Sequence, residues 1–371
     1  GRRGIALTMR GSRLWGWGAV LFLSCGGLYA YGFHGWPDEP HVVAAAKIVA
    51  EQGVGTFFQN YSTIPWLGPQ HPPLVILVYG LVLRFCAGEI FALRLLSLLF
   101  GFATLGLTYR VGKELSTRAT GLAAAYWFFC MPFFFRLSPS VLIDMPITSC
   151  FMLAIFLMLR LLKEPSLSLA AFLGVSIGVG LLCKYTMIFV YPIVFLAWGG
   201  SGRVRQLLPA VAVIVVISFV VFLPWLGYAM HEGIFASQGA RLTHYAGYVT
   251  SSANGMRWLL SVLAFRLPSG IGIAYLPLFG LGLWEMFHRR HWNDYFLGGW
   301  MLAVALPLLL TLPGPRYFFP AFPAVAIVMA YGLRTLAEDR GRVLLLALLF
   351  AASSLYLFID WHNAVGGVFT R

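Results

Sequence analysis

The feature that most limits how this chain can fold is a recurring apolar run. Stretches of about 17–25 residues with few charges follow one another along its whole length. A soluble core could not hide so much apolar surface. The chain of 371 residues is 60% hydrophobic and 11% charged, where a soluble domain has about a quarter charged residues. The runs lack the alternating apolar and polar pattern of barrel strands. The expected class is therefore all-α, a polytopic membrane protein.

The net charge of +13 does not point to nucleic acid. The basic residues are dispersed in short loops, without a basic stripe or recognition motif. In a membrane protein such residues report orientation, and anionic membrane lipids are the expected partners of the surplus. The five cysteines (Cys25, Cys86, Cys130, Cys150, Cys183) sit in or beside apolar runs with no metal-site spacing, and read as small buried hydrophobes. The first apolar run lacks a small-x-small cleavage site and reads as an uncleaved span.

Two rules give a topology: each span changes side, and short loops rich in Lys and Arg face the cytoplasm. Arg2, Arg3, Arg10 and Arg13 put the N-terminus inside, so a first span at about 14–34 delivers Asp38 to the outer face. The run opening at His71 is short, and Arg84 near its end suits an interfacial helix. With it in the interface, "RVGKELSTR" falls inside and Asp144 outside. Further spans are expected at about 91–110, 119–137, 145–162, 167–183, 186–200, 207–228, 270–287, 294–312, 317–336 and 343–360. That makes about 11 transmembrane helices plus outer interfacial helices. The expected organisation is a single domain over 1–371. It has a first outer loop at 35–90, a long outer loop at 229–268, and no C-terminal soluble domain. No internal repeat of the kind common in transporters stands out.

On this topology Asp38, Glu39, His71, Arg94, Asp144, Lys184, Arg241, His244 and Arg316 share the outer face. Charges near a membrane core need a reason. Asp38 precedes Pro40, so helix capping explains one acid of the pair, and a catalytic base or cation site is the alternative. Asp144 reads as a cap, or as a second outer carboxylate that orients an acceptor, assists the first acid or anchors a basic partner. Lys184 either snorkels or pairs with an anion such as a lipid phosphate. His71 opens a helix whose N-terminus suits phosphate oxygens. Arg316, beside Tyr317, presents a fork that fits phosphate. Arg94 sits early in an apolar run and calls for a partner such as Asp38, Glu89 or a ligand phosphate. No Rossmann, P-loop or nucleophile-elbow motif is present, so a donor held within the membrane fits better than a soluble nucleotide.

The order of "WPDEPH", "HPPL", "FALRLLSLLFG", "SPSVLIDMPIT", "GLLCKYTMIFVYPIV", "FLPWLGYAM" and "PRYFFPAFPAVAIV" resembles the membrane glycosyltransferases of the C superfold. The branch containing protein O-mannosyltransferases and lipid A aminoarabinose transferase is the most similar, over about residues 15–335. The resemblance implies a glycosyltransferase C-type fold in a bacterial inner membrane, with the site on its outer face. It implies a polyprenyl-phosphate-linked sugar as donor and an extracytoplasmic acceptor. Asp38 would then be the general base and Glu39 the second acid of the motif, with Asp144 the acid of the next outer loop. His71, Lys184, Arg316, Tyr317 and Arg94 would serve the donor phosphate, and Arg241 and His244 the acceptor. "CKY" departs from the family's pattern around Lys184.

The mechanism implied is in-line, inverting attack by an acceptor oxygen, and Asp38→Asn should abolish turnover while leaving donor binding largely intact. No cofactor is demanded, although two or three carboxylates could hold a divalent cation. The alternatives are a transporter or flippase for a polyprenyl-linked or anionic substrate, and a binding subunit without catalysis.

Overall fold

The computed structural model describes residues 36–64, 71–251, 253–309, 314–337 and Leu355. The expected first span, the last span apart from Leu355, Cys25, the N-terminal arginines and residues 310–312 lie outside the described residues. Every regular element among those described is helical.

Helix α1, Glu39–Gln59, starts with Pro40 in its first turn, where a missing N–H costs nothing and the fixed φ suits the helix. Its buried residues Val42, Ala45, Ala46 and Val49 follow the spacing of one helical face. They meet α2, Leu74–Phe85, which buries Ile76, Tyr79, Gly80 and Leu83 at the same spacing. Gly80 sets how closely the two pack: a Cβ there would lie 2.8 Å from the Ala46 carbonyl. Gly53, at φ 89°, breaks α1 near its end, a conformation that favours glycine. The 12 residues of α2 rise about 18 Å, too little to cross a bilayer core.

Next come α3, Ile90–Leu115, α4, Arg118–Cys130, and the short α5, Pro132–Leu137. The expected single span at 119–137 is thus broken. Pro132 forces Met131 into an extended conformation (ψ 130°). Helix α6, Asp144–Lys163, leads to α7, Leu167–Cys183, a 3-10 turn at Tyr185–Phe189, and α8, Val190–Gly200. Helix α9, Val204–His231, is followed by α10, Ile234–Ser251, and α11, Ala253–Ser261. Residues 229–268, expected as a long outer loop with an interfacial helix near "NGMRWLLSVLAF", carry that helix as α11 and a further one, α10, before it. After a π turn comes α12, Leu267–Ile271, and an 85° bend leads on to α13, Leu276–Arg289. Helix α14, Trp292–Leu309, a 3-10 turn at Pro315–Ala321, and α15, Phe322–Ala337, complete the order.

Among the described residues four stretches are long and apolar enough to cross a membrane alone: Ile90–Leu115, Asp144–Lys163, Val204–His231 and Pro315–Leu336. A bent pair, Gly255–Ile271 with Ile273–Arg289, makes a fifth if counted as one span. Helices α2 and α7 and the stretch Tyr185–Gly200 are apolar but shorter. The described helices therefore establish a polytopic membrane bundle without establishing eleven spans. Large apolar side chains such as Phe172, Phe219, Phe265 and Phe287 are exposed, as lipid contact requires. The chain is an integral membrane protein.

Close helix packing fixes the site's framework. Helix α7 runs along α9, and α3 packs on α4 and α6. Gly174 and Gly178 of α7 lie on the α9 side. Added Cβ atoms would sit 2.9 Å from the Ile214 carbonyl and 2.6 Å from Val221 Cβ. Small residues four apart let two backbones approach in this way.

Candidate functional site: a charge network at the start of α1, α6 and the α15 turn

Asp38 is the residue before α1, but its side chain makes no capping hydrogen bond. The carboxylate instead pairs with Arg316, 278 residues away. Capping fails because Pro40 already removes one N–H from the first turn and the charged partner binds more strongly. Asp144 does not act as the cap either: Ile143 holds that position and Asp144 opens α6. Its carboxylate accepts from Lys184 Nζ at 2.8 Å and lies 3.7 Å from Arg316 Nε. Lys184 therefore does not snorkel. It is 6% exposed, in the extended link between α7 and the following turn, with Nζ 4.2 Å from the centre of the Tyr317 ring.

Arg316 stands in the 3-10 turn Pro315–Ala321. Its Nη2 holds Asp38 and its Nε approaches Asp144. Its Nη1 is buried and has no hydrogen-bond partner among the described residues. Asp38 is the most exposed member, with a third of its side chain accessible against under a tenth for Arg316, Lys184 and Asp144.

Glu39, 4% exposed, faces a separate partner. Arg94 Nη2 and Nε donate to its Oε1 at 2.8 and 3.1 Å, and the Val141 N–H donates to Oε2 at 3.4 Å. Glu39 is thus an acid that meets Arg94, a partner that the sequence pattern did not single out. One carboxylate ties α1 to α3 and to the segment leading into Asp144. That segment is pinned further by Tyr79, whose hydroxyl donates to the Leu142 carbonyl at 2.9 Å, and by Ser97, which donates to Ser140 at 2.8 Å. Neither residue stands out in the sequence, because a lone Tyr or Ser in an apolar run reads as core.

His71 is buried three residues before α2, and its carbonyl accepts the Tyr61 hydroxyl. Burial, the largest cause, holds the Tyr61 phenol well above its usual range, so it stays a neutral donor. Tyr61 belongs to an aromatic cluster with Phe58, Trp225 and Tyr228, and Trp225 Nε1 donates to Tyr185 beside Lys184 at 3.1 Å. Trp225 and Tyr228 come from "FLPWLGYAM", where aromatic density was the available signal. His244 is exposed on α10, and the Arg241 side chain lies outside the described residues.

A cavity of about 480 Å³ opens beside Pro37 and Glu39, with Trp36, Lys47, Ile90 and Arg94 among its walls. Among the described residues no three His, Cys, Asp or Glu side chains gather as a metal-ligand set. Asp38, Glu39 and Asp144 are each matched to Arg or Lys. Chemically, the network offers a partly exposed carboxylate beside two buried cations, an arrangement suited to proton abstraction next to an anionic group.

Comparison with known proteins agrees with this architecture. The model of the dolichyl-phosphate-mannose-protein mannosyltransferase family matches residues 70–228. A search of the curated proteins finds no match. The solved structure of ArnT from Cupriavidus metallidurans bound to undecaprenyl phosphate superposes with a TM-score of 0.67 at 16% identity, over 95% of this chain and 70% of that one. Arabinosyltransferase EmbB from Mycobacterium smegmatis gives 0.56 at 16% identity, over 84% of this chain and 29% of EmbB. The oligosaccharyltransferase AglB from Archaeoglobus fulgidus, in complex with an inhibitory peptide and a dolichol-phosphate, gives 0.51 at 12% identity, over 94% and 55%. The charge network thus sits in a chain that has the fold of the membrane glycosyltransferases of the C superfold.

Proposed function

We propose that this protein is an inverting glycosyltransferase that moves a sugar from a polyprenyl-phosphate donor to an acceptor hydroxyl or phosphate outside the cytoplasm. The observation that carries the reading is the meeting of Asp38 with Arg316, and of both Arg316 and Lys184 with Asp144. Four segments far apart in sequence supply one acid open to solvent and two cations screened from it. The family match and the polyprenyl phosphates bound to ArnT and AglB support the donor class.

In this reading the donor enters from the bilayer with its phosphate at Lys184 and Arg316, flanked by Tyr317 and His71. Asp38 takes the proton of the acceptor hydroxyl. The acceptor oxygen forms a bond to the anomeric carbon as the bond from that carbon to the phosphate oxygen breaks. The electron pair leaves on the polyprenyl phosphate, and the two cations stabilise the growing charge. Asp144 holds both cations in place, and Glu39 with Arg94 fixes the start of α1 so that Asp38 faces the donor. Arg94, engaged by Glu39, positions the base instead of binding phosphate. In this reading the acceptor enters by the cavity beside Pro37 and Glu39, and Arg241 and His244 on α10 are further acceptor candidates. The site faces the outside of a bacterial inner membrane, with the N-terminus in the cytoplasm.

The test is turnover of a panel of polyprenyl-phosphate sugars by the reconstituted protein in the presence of envelope lipids and glycans. Transfer with release of polyprenyl phosphate supports the enzyme. Movement of an intact donor across the bilayer without bond cleavage supports a transporter.

A further inference from the structure

The network contains as many acids as bases. Asp38, Glu39 and Asp144 face Arg94, Lys184 and Arg316 in ion pairs. A pocket for a phosphate would be expected to carry surplus positive charge, yet among the described residues Arg94, Lys184 and Arg316 are each already matched by a carboxylate. An arriving phosphate must therefore take a cation away from a carboxylate.

The geometry decides which carboxylate lets go. Asp144 is buried, opens α6 and is held by Lys184 at 2.8 Å with Arg316 at 3.7 Å. Releasing it would strand a charge in a dry site. Glu39 is buried and held by three donors. Asp38 is a third exposed and its described ion pair is to Arg316 alone, so it can turn to water at small cost. Arg316 is also the cation with a donor to spare, the buried Nη1 with no hydrogen-bond partner among the described residues. While Asp38 lies against the guanidinium, its Oδ2 is engaged there and is turned away from an acceptor hydroxyl.

We propose that Arg316 is a lock on the base: it holds Asp38 in the donor-free protein, and the donor phosphate frees Asp38 by taking its place on the guanidinium. Turnover is then donor-first, and Asp38 is withheld from acceptor or water until a leaving group is in position. The proposal rests on the donor reading above and gives Asp38 a second role, as the phosphate's competitor.

The test uses the full chain in lipid nanodiscs, with undecaprenyl phosphate as the probe and undecaprenol as its uncharged control. A base with no locking contact predicts equal probe affinity in Asp38→Asn and wild type. The lock predicts that Asp38→Asn binds undecaprenyl phosphate about tenfold more tightly. It also predicts that this gain disappears when Arg316→Gln is added. Asp38→Ser should behave as Asp38→Asn, which guards against a fault of one variant, and thermal unfolding verifies that each is folded. Unchanged or weaker binding in Asp38→Asn and Asp38→Ser overturns the lock and leaves the donor reading standing. So does a gain that persists with Arg316→Gln, because it would be a general effect of charge. Wild type that prefers undecaprenyl phosphate no more than undecaprenol overturns the donor reading itself.

Discussion

Lys184 is a cation in a place that tolerates none without a partner. Its side chain is 7% exposed and rests on Asp144, itself 4% exposed. Breaking such a pair from one side leaves an uncompensated buried charge, at about 3–5 kcal/mol. Lys184→Met should therefore lower the unfolding midpoint in mild detergent markedly, and adding Asp144→Asn should recover much of the loss. A double variant no more stable than the single one would show that the pair is not what Lys184 supports. At Glu39 the prediction concerns rate. Glu39→Gln keeps an acceptor for Arg94 but turns an amide N–H₂ toward the Val141 N–H. Small displacements of a catalytic group cost about a hundredfold, so kcat should fall by about that factor with the donor KM little changed. A rise in KM at constant kcat would move Glu39 from positioning to substrate binding.

The elements matter because each charge is delivered by a helix end. Lys184 follows the last residue of α7, so the depth of α7 against α9 sets where its ammonium sits. Gly178→Leu would drive a side chain into Val221 and the Ser218 carbonyl, and overpacking of this kind costs about 1–3 kcal/mol. Stability and turnover should both fall. Gly199→Ala, in α8 and facing open space, should change neither. If Gly178→Leu leaves turnover intact, the α7–α9 contact does not place Lys184. Helix ends were also the hardest features to read from sequence. The apolar pattern located α3, α6 and α9 within a few residues. It passed over the break at Met131, because Pro132 sits in an otherwise unbroken apolar run. Within 229–268 it pointed to a helix near "NGMRWLLSVLAF" but not to α10, whose polar residues hide its helical continuity.

At the scale of the whole molecule, parity of spans and the distribution of basic loops gathered Asp38, Asp144, Lys184 and Arg316 on one side, and the structure brings these four together. What the sequence did not reveal was the pairing. A contact between residues 38 and 316, or between Glu39 and Arg94, 55 apart, leaves no local trace, and capping looked adequate for Asp38 while only neighbouring residues were in view. Orientation itself can be measured. Cys86 is exposed at the end of α2, whereas Cys130 and Cys183 are buried. A membrane-impermeant maleimide should label Cys86 on intact spheroplasts, and Cys86→Ser should remove that label. Labelling only after permeabilisation would reverse the proposed orientation.

The proposed role of Asp38 is abstraction of the acceptor proton in sugar transfer from a polyprenyl-phosphate donor. Its most direct test is release of polyprenyl phosphate from a cognate donor by wild type and Asp38→Asn, side by side in proteoliposomes with acceptor present. Wild type should give release with glycosylated acceptor, and an Asp38→Asn protein that still binds undecaprenyl phosphate should give none above background. Near-normal release from Asp38→Asn would contradict that role.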